Sequence, residues 1–166
     1  MGNKKHAVLS PSSAHRWLVC TPSARMEERF PDEGSTYAEE GALAHEYAEK
    51  VLKKALEGDL PINLLNGMEE EMRYAVIDYV TKCVELATDL GESSTDDEKG
   101  TVSIAVEATT SIPCTPEGFG TVDFVAHTDE TLAIVDFKYG KGSKVYAKGN
   151  PQLLLYASGC LADLPS

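Results

Sequence analysis

Five side chains in this sequence have the types and spacing for chemistry on a phosphate: His45, Glu107, Asp123, Asp136 and Lys138. Asp136 and Lys138 follow the apolar run Ala133-Ile134-Val135 in "AIVDFKYGKG" (133–142). Side chains on a strand alternate with period two, so positions 136 and 138 share a face. Burying a charge there is costly unless it is paired or bound to a metal. By themselves the two suit an ordinary same-face ion pair. Joined by Asp123 in "GTVDFV", Glu107 in "AVEAT" and His45 in "EEGALAHEYAE", they suit a divalent cation site. Carboxylates hold Mg2+ or Mn2+, and imidazole tolerates Mn2+. An ion of this kind polarises a phosphoryl oxygen and acidifies water. A lysine beside it can orient that water or offset charge developing in the transition state.

The elements that must position these residues follow from periodicity and punctuation. Ser10-Pro11 is a helix-start signal and predicts a short helix over 11–19, with a second over 22–29. Residues 36–58 form the clearest helix, rich in Ala, Glu, Lys and Leu and stopped by Gly58. Residues 59–67 read as a connection. A second long helix is expected over 68–91, with Met72, Ala75, Val76, Tyr79, Val80, Cys83 and Leu86 on its apolar stripe. The polar segments 31–35 and 92–100 read as loops. β-Branched, alternating stretches predict strands over 101–109, 120–128 and 131–139, the last two joined by a short Asp-Glu turn. A loop over 140–150 leads to a helix over 151–162 with Pro at its first position. The order predicts one α+β domain over 1–166: helical over 1–91, a three-stranded, mostly antiparallel sheet over 101–139, and a closing helix. If the second and third strands pair as a hairpin, Asp123 and Asp136 reach the same region of the sheet.

Composition sets outer limits. The 166 residues, 42% hydrophobic and 25% charged, suit a single globular core. No apolar run is long enough for a membrane span, and the N-terminus has no apolar segment of a signal peptide. Four scattered cysteines (Cys20, Cys83, Cys114, Cys160) without a CxxC predict reduced thiols in a cytoplasmic protein. A net charge of −12 argues against nucleic acid, but the charge is unevenly spread. Residues 1–30 carry five basic and two acidic groups, and residues 31–135 carry six basic and 23 acidic groups. Residues 136–150 carry four lysines and one aspartate, so the segment around the candidate site is basic. Lys141, Lys144 and Lys148 there could neutralise phosphates.

The motifs "GxxxH" (Gly41 to His45), "GxxD" (Gly120 to Asp123), "DxK" (Asp136 to Lys138) and "QxxxY" (Gln152 to Tyr156) occur in that order. Together they resemble the RecB-type branch of the PD-(D/E)XK nuclease superfamily. The opening "LSPSSAHRWLVCTPSARME" resembles the first segment of that branch. More closely, "GFGTVDFV" and "LAIVDFKYGKGSKVYAKGNPQLLLYASG" are similar to an uncharacterised phage and prophage protein family assigned to that superfamily. The resemblance runs from about residue 9 to about residue 162.

It implies a restriction-endonuclease-like core and a Mg2+- or Mn2+-dependent deoxyribonuclease. His45, Asp123 and Asp136 would be metal ligands, with Glu107 matching an acidic position on the first core strand. Asp123, Asp136 and Lys138 would form the catalytic set. Gln152 and Tyr156 would face the site and contact DNA or brace the lysine, with Lys141 and Lys144 as further DNA contacts. Phage DNA recombination or processing in a bacterial cytoplasm is the implied setting, beside a recombination or replication protein such as a helicase, recombinase or annealing protein. Some relatives hold an iron–sulfur cluster with one Cys before the His helix and three after the QxxxY helix. Only Cys20 and Cys160 match, so no cluster is expected. The superfamily core adds a fourth or fifth strand after the QxxxY helix, so a core lacking its C-terminal strands is expected here. The alternative reading is a non-catalytic or partner-dependent DNA-binding or interaction module that keeps the nuclease fold.

Overall fold

The long helix α3 (Thr36–Leu56) shows how the sequence builds the frame of the candidate site. Ser35 caps it by accepting a hydrogen bond from the Ala38 amide at 3.1 Å. Glu46–Lys50 and Glu49–Lys53 pair one turn apart on its wet face. Ala44, Ala48, Val51 and Leu52 form the buried stripe, and Gly58 follows at φ +83°, a conformation that favours glycine. The computed structural model describes residues 7–30, 34–59, 61–93, 101–140 and 144–164. Residues 31–33 and 94–100 of the loops expected at 31–35 and 92–100, and Lys141 in the expected turn at 140–142, lie outside them.

A 3-10 turn (Pro11–Ser13) leads into α1 (Ala14–Trp17), followed by α2 (Ser23–Glu27) and α3. The stretch read as a plain connection contains one helical turn, α4 (Ile62–Leu65). Then come α5 (Glu70–Ser93), β1 (Ser103–Ser111), β2 (Phe119–His127), β3 (Leu132–Val135) and α6 (Pro151–Asp163). The fold is α+β, with a three-stranded antiparallel sheet in the order β1-β2-β3 flanked by helices. β2 and β3 form the expected hairpin, in register from His127 opposite Leu132 to Phe124 opposite Val135. The Thr128 hydroxyl closes its turn by accepting from the Glu130 and Thr131 amides. Among the described residues no helix is long and apolar enough to cross a membrane.

The chain forms two compact units. One contains residues 34–108 and 123–143. Its core joins the stripe of α3 to Met72, Val76, Tyr79, Val80 and Cys83 of α5, with Phe124 and Ala126 of β2 and Phe137. The other contains the residues before 34, 109–122 and those from 144 onward. There Ala14, Trp17 and Ala24 pack with Leu9 and Leu155, and the Trp17 indole N–H donates to the Ser10 carbonyl at 2.9 Å. Asn150 caps α6 through its side chain, accepting from the Gln152 and Leu153 amides. In the same unit, a Cβ on Gly120 would stand 2.7 Å from Tyr156 Cε1 and 2.8 Å from Pro11 Cγ, so only glycine fits.

Two strands, β1 and β3, differ from the sequence reading by more than one residue. β1 begins and ends two residues later than expected, and within it Glu107 adopts φ +54°. A non-glycine residue there costs about 1–2 kcal/mol and breaks the regular alternation. β3 stops at Val135 instead of running to residue 139, so Asp136 and Lys138 lie beyond its end.

Candidate metal centre

Asp123 explains where β3 stops. The hairpin register, continued one step past Phe124 and Val135, would set Asp123 against Asp136. Instead the Phe137 amide donates to Asp123 Oδ2 at 2.6 Å, leaving the ladder for a side chain. That bond is charge-assisted and short, as expected for a buried carboxylate accepting from an amide. Asp123 is 8% exposed, in the middle of β2.

Three elements of one unit bring their side chains to this carboxylate. His45 on α3 places Nδ1 3.4 Å from Asp123 Oδ1, its side chain 34% exposed. The Asp123 carboxylate holds the imidazole above its ordinary pKa, against the opposing effect of burial. Glu107 on β1 completes the group: one donor atom each from His45, Glu107 and Asp123 lie within 4.8 Å of one another. Burial raises the Glu107 pKa, and the Asp123 and Glu49 charges add to it. The backbone strain at Glu107 therefore falls on the acidic residue of β1 that reaches this cluster.

The donor set fits a divalent cation. Bonds of about 2.1 Å allow donors up to about 4.2 Å apart around one ion, so small side-chain rotations would close this cluster. One imidazole with two carboxylates is a mixed set that suits Mn2+ and accepts Mg2+.

Asp136 is not among those three. It pairs with the Lys138 ammonium, and the side chains are 9% and 48% exposed respectively. Burial raises the Asp136 pKa, Lys138 opposes this, and the Asp123 charge raises it further. Gln152 and Tyr156 belong to the other unit, where Gln152 Nε2 donates to the Tyr156 hydroxyl at 3.4 Å along α6. Both are buried, which leaves their side chains little surface for DNA. Lys144 and Lys148 are exposed, and the Lys144 ammonium lies 5.3 Å from the centre of the exposed Tyr146 ring.

Sequence reasoning considered Phe137 only for its main-chain carbonyl, as a further metal ligand, and passed over its amide and ring, which both meet the cluster. Its position inside Asp-Phe-Lys was the available signal. It also left Tyr79 and Cys83 as core residues. They do pack in the core, where burial pushes the Cys83 thiol up to about 12 and raises the Tyr79 hydroxyl as well.

The site thus belongs to an α+β protein that gathers an imidazole and two carboxylates at one end of a hairpin. The chain belongs to the family described as protein of unknown function DUF2800, whose model matches residues 6–165. No solved structure matches the chain.

Proposed function

We propose that this protein is a divalent-metal-dependent deoxyribonuclease of the RecB-like PD-(D/E)XK type, hydrolysing phosphodiester bonds in phage or prophage DNA recombination or processing. The observation that carries the reading is the convergence of His45, Glu107 and Asp123. These three would hold Mg2+ or Mn2+. Such an ion supplies Lewis acidity, polarising a phosphoryl oxygen and acidifying water. Lys138, half-exposed on the Asp136 carboxylate, presents an ammonium that can donate to an attacking water or to a developing negative charge. Asp136 keeps that ammonium in place and would be a further ligand. The exposed pair of Lys144 and Tyr146 offers a cation to phosphate and a ring face to a base.

The test uses labelled single- and double-stranded DNA with Mn2+, Mg2+ or EDTA. Cation-dependent cleavage by the wild type, lost in Lys138→Met while Mn2+ affinity persists, is the expected result. Cleavage that persists in EDTA, or in Lys138→Met, contradicts the reading. A net charge of −12 favours a second reading, a non-catalytic or partner-dependent module that retains the nuclease fold. That module would bind the cation and cleave neither DNA.

A further inference from the structure

The side chain of Phe137 has no part in the proposed chemistry, yet it lies against the cluster. The residue is 6% exposed. Its ring meets the His45 imidazole edge to face, with centroids 5.2 Å apart and planes at 64°. Its other neighbour is the Tyr79 ring on α5, at 4.8 Å and 38°. Its amide holds Asp123 Oδ2. One residue therefore fixes two members of the cluster, and those two come from different elements, α3 and β2.

We propose that Phe137 is a positioning residue for the cation site: its amide sets the Asp123 carboxylate and its ring sets the plane of the His45 imidazole. This rests on the reading of His45, Glu107 and Asp123 as a divalent cation site. A histidine on a helix surface has several rotamers within reach, and its χ2 is broad. The edge-to-face contact narrows that choice and keeps Nδ1 towards Asp123. Tyr79 backs the Phe137 ring from the core side, so the ring is held between two aromatic neighbours. An aliphatic side chain at 137 would fill the core but offer the imidazole no flat partner. Outer groups that orient metal-ligating histidines set affinity as well as geometry.

The test compares wild type, Phe137→Leu and Phe137→Tyr, with Mn2+ as the probe. Calorimetry gives the Mn2+ affinity. Proton resonances of the His45 imidazole, assigned with His45→Gln and recorded without metal, give the ring's environment. Circular dichroism and thermal melts confirm folding. Phe137→Leu is expected to weaken Mn2+ binding roughly tenfold, the low end for losing an orienting partner. Its His45 resonances should move towards those of an unstructured histidine, while Phe137→Tyr keeps both properties close to wild type. Phe137→Met carries the same expectation and replaces the leucine variant if that one does not fold. Unchanged Mn2+ affinity in Phe137→Leu, with only a lower Tm, overturns the proposal and leaves Phe137 as core. A wild type that binds no Mn2+ overturns the cation-site reading and this inference with it.

Discussion

Asp123→Asn and Asp123→Ala separate two tasks that one carboxylate performs. Oδ2 accepts the Phe137 amide at 2.6 Å, and Oδ1 faces His45. Asparagine keeps an acceptor for the amide and removes the charge. Turning a charge-assisted bond into a neutral one costs about 1 kcal/mol. That loss is offset, because the Asp123 charge raises the pKa of both Glu107 and Asp136, and its removal relieves both. Alanine leaves the Phe137 amide buried without its acceptor, at about 1–3 kcal/mol. For a chain of this size, about 2–4 °C per kcal/mol applies, so Asp123→Ala should melt about 2–12 °C below wild type in EDTA. Asp123→Asn should stay close to wild type. Mn2+ at a hundredfold excess over its Kd adds about 2.7 kcal/mol to a protein that binds it. The wild-type Tm should therefore rise by several degrees on adding Mn2+, and that of Asp123→Asn should not. Thermal melts followed by circular dichroism read both effects. Equal destabilisation of the two variants with the Mn2+ shift intact would refute the reasoning, since Asp123 would then be structural alone.

Three further outcomes follow from the same geometry. His45, Glu107 and Asp136 have pKa values raised from 6.5, 4.5 and 3.8, so each holds its proton more tightly in the folded protein. Their stabilisation is complete below those ordinary values and is lost as pH rises through the raised ones. Metal-free protein should thus lose Tm as pH rises above the ordinary histidine value of 6.5, and His45→Gln should flatten that slope; a wild-type Tm that rises there contradicts the assignment. In Lys138→Met the Asp136 carboxyl loses its ammonium, so its carbon resonance should titrate at higher pH than in wild type, and an unchanged midpoint would show the pair to be idle. Glycine substitutions should divide by contact. A Cβ on Gly159 would meet the Ser111 carbonyl and sit 2.6 Å from Thr110 Oγ1, so Gly159→Ala should lose about 1–3 kcal/mol in urea unfolding. Gly41→Ala meets nothing closer than 4.0 Å and should gain up to about 1 kcal/mol of helix propensity; a loss at Gly41 with none at Gly159 would contradict the packing described.

The helices and the hairpin were legible because they depend on local signals. Ala44, Ala48, Val51 and Leu52 recur at helical spacing between a Ser cap and a Gly stop, and α3 lies where that pattern puts it. The β2–β3 hairpin itself was legible from alternation and a short turn. What was not legible depends on contacts distant in sequence. The end of β3 is set by the Asp123 side chain taking the Phe137 amide, fourteen residues away. The late start of β1 and the left-handed Glu107 lie in a strand whose local pattern gives no sign of either. The composition of the cluster was partly legible: His45, Glu107 and Asp123 converge, while Asp136 turns to Lys138. Gln152 and Tyr156 are buried, and the Tyr156 ring lies against Gly120 of the same unit.

The central claim is that His45, Glu107 and Asp123 form a divalent cation site, and crystals grown with Mn2+ test it most directly. An anomalous difference map collected near the manganese edge should place a peak within bonding distance of His45, Glu107 and Asp123 together. A map with no peak there, at a Mn2+ concentration that raises the Tm, would contradict the account and leave the cluster as a buried network around the end of the β2–β3 hairpin.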